Sequence, residues 1–98
     1  EVAFAPPADP NAYALQVSGN SMEPVYRAGD IVVVSPAAQV RVGDRVVVKT
    51  HSGEVMVKVL TRRTTRRIEL SSLNPDYPAR QIELRDVAWI ARIVWASQ

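Results

Sequence analysis

Apolar residues in this chain gather into short β-branched runs, each bounded by glycine or proline. Ile31-Val32-Val33-Val34 stops at Pro36, Val46-Val47-Val48 follows Val42-Gly43-Asp44, and the Val55–Leu60 stretch follows His51-Ser52-Gly53. Valine and isoleucine are stiff in a helix and pack well on a pleated surface, so such runs read as strands. No segment sustains the period of an amphipathic helix. The expected fold class is therefore all-β, a compact and mostly antiparallel barrel or sandwich. The predicted strands are Tyr13–Val17, Ile31–Val34, Arg45–Lys49, Glu54–Leu60, Arg67–Ser71, Ile82–Leu84 and Val87–Trp95. His51-Ser52-Gly53 is the hairpin turn between the third and the fourth. At most one short helical turn is expected, between Gly19 and Arg27. Asn74-Pro75-Asp76-Tyr77-Pro78 reads as a rigid connection, because two prolines do not fit a central strand.

A chain of 98 residues makes one domain with a modest core. Residues 1–12 carry Pro6, Pro7 and Pro10 and read as an extended linker arm; residues 13–98 form the folded domain. The chain opens on Glu1 without a methionine and reads as a fragment of a longer protein. Cysteine is absent, which excludes disulfides and thiolate zinc sites. No apolar run approaches the ~18 residues of a membrane span, and no signal-peptide pattern opens the chain. The expectation is a cytoplasmic protein with no membrane association. A net charge of +2 is too small to argue nucleic-acid binding by the domain as a whole. Arg62, Arg63, Arg66 and Arg67 read as a solvated hairpin tip, with a phosphate contact as the alternative. His51 stands alone in a polar turn, so no metal or other cofactor is expected.

Two residues carry candidate chemistry. Ser21 lies in Gly19-Asn20-Ser21-Met22-Glu23-Pro24, where a serine is by default a turn or cap residue. At the start of a helical turn, its hydroxyl would also have nearby backbone N–H groups aimed at a developing oxyanion. Lys58 lies in Val55-Met56-Val57-Lys58-Val59-Leu60. Strand alternation puts Val55, Val57 and Val59 on one face and Glu54, Met56, Lys58 and Leu60 on the other. The default is a solvent-facing lysine, but its own face also carries Met56 and Leu60. Covering that face would disfavour the ammonium and leave a neutral amine able to act as a base. A serine hydroxyl is a poor nucleophile without such a base, and serine–lysine is one way to provide it.

The ordered blocks Val17-Ser18-Gly19-Asn20-Ser21-Met22, Ala28-Gly29-Asp30, Val42-Gly43-Asp44 and Val57-Lys58-Val59-Leu60 resemble the C-terminal domain of LexA, UmuD and phage repressors. Leu73-Asn74-Pro75-Asp76-Tyr77-Pro78 resembles the lambda-type repressors in particular. The resemblance runs from Tyr13 to Ala96. It implies a serine–lysine self-cleaving peptidase with a signal-peptidase-like fold. Ser21 would be the nucleophile and Lys58 its general base. The N–H groups of Ser21 and Asn20 would receive the oxyanion, and Ser18 would be a hydroxyl close to the lysine. Met56 stands where such proteins often place a threonine. The family cuts a small-residue bond, often Ala-Gly, in an upstream linker. Ala28-Gly29 lies after Ser21 in a structural turn and is rejected, which places the scissile bond before Glu1. The resemblance further implies a homodimer, operator DNA bound through an upstream helix-turn-helix domain, a RecA-type co-protease as partner, and a role in the SOS response. The alternative is a non-catalytic oligomerisation or sensor domain with the same fold. Trp89 and Trp95 are expected on one face of the final strand. The edge of that strand is the expected site of pairing with a second copy.

Overall fold

A computed structural model describes residues 11–19, 21–36 and 38–97. Its seven strands are β1 (Tyr13–Gln16), β2 (Ile31–Ser35), β3 (Arg45–Thr50), β4 (Val55–Arg63), β5 (Arg67–Ser71), β6 (Arg80–Glu83) and β7 (Val87–Ala96). All pair antiparallel in the order β1-β2-β7-β3-β4-β5-β6. The expected all-β architecture is what forms. The proline-rich stretch at 1–10 lies outside the described residues.

Both faces of the sheet are apolar, as the valine runs require. One face carries Val17, Met22, Tyr26, Val32, Val34, Val47 and Ala91, with Val57, Val59, Trp89 and Ile93 packed against them. The other carries Val46, Val48, Met56, Leu60, Ile68, Leu70 and Ile82. The two Gly-Asp turns are built alike. Asp30 and Asp44 each accept the amide three residues back, from Arg27 at 2.9 Å and Arg41 at 2.8 Å. Gly29 and Gly43 turn the chain at φ 97° and 98°.

Three sequence expectations change. The strand expected at Ile82–Leu84 forms with shifted bounds, Arg80–Glu83. β6 ends at Glu83, and Leu84–Asp86 form a 3₁₀ turn whose first amide donates to Arg66 O at 2.8 Å. That bond continues the β5–β6 register by one pair beyond Arg67 and Glu83. The final strand, β7, is not an edge: its first half pairs with β3 and its second half with β2, while Arg92 faces both Val46 and Ser35. The outer strands are β1 and β6. Trp89 and Trp95 also do not share a face. Ile93 pairs with Val34 but Trp95 pairs with Val33, so Val94 is an extra residue that reverses the alternation. Trp89 keeps to the first apolar face and meets Tyr13 edge-on, with ring centroids 6.0 Å apart.

Candidate active site

Ser21 sits on an excursion from the β1–β2 hairpin. Val17 closes its base by donating to Asp30 O and accepting from Gly29 N–H, both at 2.8 Å. Gly19 enters the turn at φ 77°, a conformation that favours glycine. Met22 and Tyr26 then plug into the core, 1% and 3% exposed, and the Met22 carbonyl accepts the amides of Val25 and Tyr26 at 3.0 Å. These successive turns occupy the place of the expected helical turn. Ser21 is half-buried beside the Met22 anchor, and its carbonyl accepts the Asn74 N–H at 2.9 Å.

Lys58 reaches the site from β4. It pairs with Val46 of β3 and shares the face of Met56 and Leu60, as alternation requires. That face is buried, and Lys58 is only 7% exposed. Its Nζ donates to Ser72 Oγ at 2.6 Å and lies 5.8 Å from the centroid of the Tyr77 ring. Burial pushes the ammonium below the ordinary lysine range, and the Arg80 guanidinium pushes the same way; the Glu54 carboxylate opposes both. Arg80 grips Glu54 with two hydrogen bonds, at 2.7 and 3.2 Å, and this holds the Glu54 carboxyl below its usual range.

Ser21 and Lys58 line one open cleft of about 290 Å³, together with Gly19, Glu54, Met56, Tyr77, Pro78 and Arg80. Ser21 also lines the adjoining groove, between Leu15-Gln16-Val17 and Val55-Met56-Val57. Ser18 is exposed and lines that groove, not the lysine's cleft. Asn20 lies outside the described residues. Ser72, Tyr77, Glu54 and Arg80 were not legible as site residues. Ser72 could have been found by register: Leu60 pairs with Leu70, so two residues back along β4 and two forward from Leu70 bring Lys58 opposite Ser72. The arginine-rich tip joins β4 to β5, and Arg62, Arg63, Arg66 and Arg67 are all exposed there. His51 is exposed in its turn. Among the described residues no group of three or more His, Asp or Glu could hold a metal ion, and no helix is long and apolar enough to cross a membrane.

A lysine biased toward its neutral form thus opens onto the same cleft as an anchored serine. Residues 3–94 match the family model described as Peptidase S24-like. The chain is 39% identical over 85 residues to a LexA repressor of Teredinibacter turnerae, covering 85% of this chain and 40% of the relative. It is 38% identical over 73 residues to prophage repressor CohE of Escherichia coli, covering 74% and 32%. It is 45% identical over 67 residues to a LexA repressor of Delftia acidovorans, covering 67% and 29%. It thus spans about a third of the length of these relatives. With a single family model covering nearly all of a chain whose sheet is wholly antiparallel, and with repressors as its relatives, the chain belongs to the peptidase S24-like family.

Proposed function

We propose that this domain is a serine–lysine autopeptidase and dimerisation module of a transcriptional repressor. One observation carries the catalytic part: the amine of Lys58 is buried, biased toward neutrality, and opens into the cleft that Ser21 lines. In this reading Ser21 Oγ attacks the scissile carbonyl while Lys58 Nζ takes its proton. The oxyanion of the tetrahedral intermediate lies against the N–H groups of Ser21 and Asn20. Collapse expels the new N-terminal amine, which takes the proton back from Lys58. Water, activated by the same amine, then hydrolyses the Ser21 ester and frees the enzyme.

The substrate would be an extended segment of the protein's own linker preceding Glu1. The groove between Leu15-Gln16-Val17, at the end of the outer strand β1, and Val55-Met56-Val57 suits a segment that adds as a strand. The Ala28-Gly29 bond is not available for this role, because Gly29 N–H is tied to Val17 O at 2.8 Å in a tight turn. Operator DNA would be held by an upstream domain, and pairing of two such domains would match a palindromic operator.

The test is incubation of the full-length protein at raised pH, which deprotonates Lys58. Cleavage that rises with pH, and is lost in both Ser21→Ala and Lys58→Ala, is the expected result. The residues act as a unit, so the double variant should be no worse than either single one. Cleavage persisting in Ser21→Ala would end the serine peptidase reading. The absence of cleavage at any pH would leave the non-catalytic oligomerisation or sensor domain. Sedimentation of the domain tests dimerisation, and a monomer at high concentration would reject it.

A further inference from the structure

The connection between β5 and β6 touches both halves of the proposed dyad. Ser72 Oγ lies 2.6 Å from Lys58 Nζ. Two residues later Asn74 N–H donates to the carbonyl of Ser21 at 2.9 Å. Three residues beyond that, the Tyr77 ring lies 5.8 Å from the lysine nitrogen. The connection is itself stiff: Asn74 accepts Tyr77 N–H on its carbonyl at 3.1 Å and Asp76 N–H on Oδ1 at 3.0 Å. Leu73, between Ser72 and Asn74, packs against the first apolar cluster. The resemblance to LexA-like proteins implied two other hydroxyl positions near the lysine. Met56 has no hydroxyl, and Ser18 is exposed on the neighbouring groove.

We propose that the Ser72–Tyr77 connection is a clamp that sets the serine against the lysine, with Ser72 the positioning residue for the Lys58 amine. This rests on the autopeptidase reading for its catalytic consequence, but not for its geometry. A lysine ammonium is a point charge on a four-carbon stem with three rotatable donors, so burial of the stem alone does not aim it. A hydroxyl can accept from the ammonium and donate to the neutral amine, so Ser72 can hold Nζ in both protonation states of a general base. Asn74 meanwhile fixes the Ser21 turn through the backbone, which a side-chain substitution at Ser21 leaves intact. The charged and titratable groups facing Nζ are Glu54, Arg80 and Tyr77, and β3 presents Val46 opposite Lys58.

The experiment has two arms. In the first, Lys58 is titrated by NMR in chain labelled with carbon-13 at lysine Cε. The sequence has two lysines, and exposed Lys49 is an internal reference. A hydrogen bond to the charged amine is stronger than one to the neutral amine. Ser72→Ala should therefore move the Lys58 midpoint to lower pH and leave Lys49 in place. In the second arm, self-cleavage of the full-length protein is followed against pH. Ser72→Ala should lower the plateau rate by about tenfold to a hundredfold, as misaimed catalytic groups do, while its rising limb moves to lower pH. A merely structural loss would not produce that split. Ser72→Thr should restore both, and Ser72→Val, which has the shape of the threonine variant without its hydroxyl, should behave as Ser72→Ala even if the alanine variant folds poorly. An unchanged Lys58 midpoint in Ser72→Ala and Ser72→Val overturns the proposal, as does an unchanged plateau rate. A wild type that never cleaves defeats the autopeptidase reading, and the NMR arm still decides the role of Ser72.

Discussion

Lys58→Met should stabilise this domain at neutral pH, and the gain should shrink as pH rises. Lys58 is 7% exposed and lies on the face of Val46, Met56 and Leu60. Methionine follows the lysine stem to Cε and leaves out the nitrogen, so apolar packing on that face is largely kept. What disappears is a buried amine whose charged form is disfavoured. Replacing buried charged groups by apolar ones of similar volume is neutral or stabilising by about 1–4 kcal/mol. Against this stands the Ser72 hydroxyl, which loses its 2.6 Å partner. Ser72 is only half-buried, so water can replace that partner, and the loss costs about 1 kcal/mol or less. With the full loss set against the stabilising range, the net gain is up to about 3 kcal/mol, which raises the urea midpoint by up to about 2 M at an m-value near ~1.5 kcal/mol/M. The pH dependence follows from linkage. The folded-state pKa of Lys58 lies below its unfolded value, so the unfolded chain binds more protons between the two. The penalty on the wild type is full below the folded pKa and vanishes above the unfolded one, near ~10.4. Urea unfolding of both proteins between pH 6 and about pH 10 reads it directly. Tyr13, whose ionisation is pushed up by burial, titrates in both and cancels in the difference. A destabilised Lys58→Met at pH 7, or a difference flat with pH, would refute the argument that burial is what shifts this amine.

Arg80→Ala removes a cation that lowers the Lys58 pKa and frees the Glu54 carboxylate that raises it, so the rising limb of the cleavage profile should move to higher pH; a shift to lower pH would show that the pair acts otherwise. Met22→Ala should cost about 2–5 kcal/mol by opening a cavity at a residue 1% exposed. Because Met22 anchors the turn that carries Ser21, self-cleavage in that variant should fall even where circular dichroism shows the domain folded.

The strands were legible because each depends on local composition. β-Branched runs set β2, β3 and β4, and Ser52-Gly53 set the hairpin between the last two. The alternation that placed Lys58 beside Met56 and Leu60 was equally local, and burial of that face followed from both faces being apolar. Strand order was not legible, since nothing in Val87–Ala96 says that it will lie between β2 and β3. Alternation also failed wherever the ladder takes an extra residue, at Thr61, Ala88 and Val94, and the last of these is why Trp95 parts from Trp89. Ser72 was missed for a related reason: its place beside Lys58 depends on the register of β4 against β5 across an extra residue, and not on any motif of its own.

The divided pairing of β7 has a consequence for when this domain becomes competent during synthesis. Ser21 belongs to the ribbon made by β1 and β2, and Lys58 to the meander of β3 to β6. Each can zip locally, because its contacts are close in sequence. The two are knit into one sheet by the last ten-residue strand, whose second half reaches back some sixty residues to β2. Emergence of β7 from the ribosome is then the event that joins the two parts in one sheet. A nascent chain still missing β7 would lack the continuous sheet that supports the Asn74–Ser21 bond between the serine's ribbon and the lysine's meander.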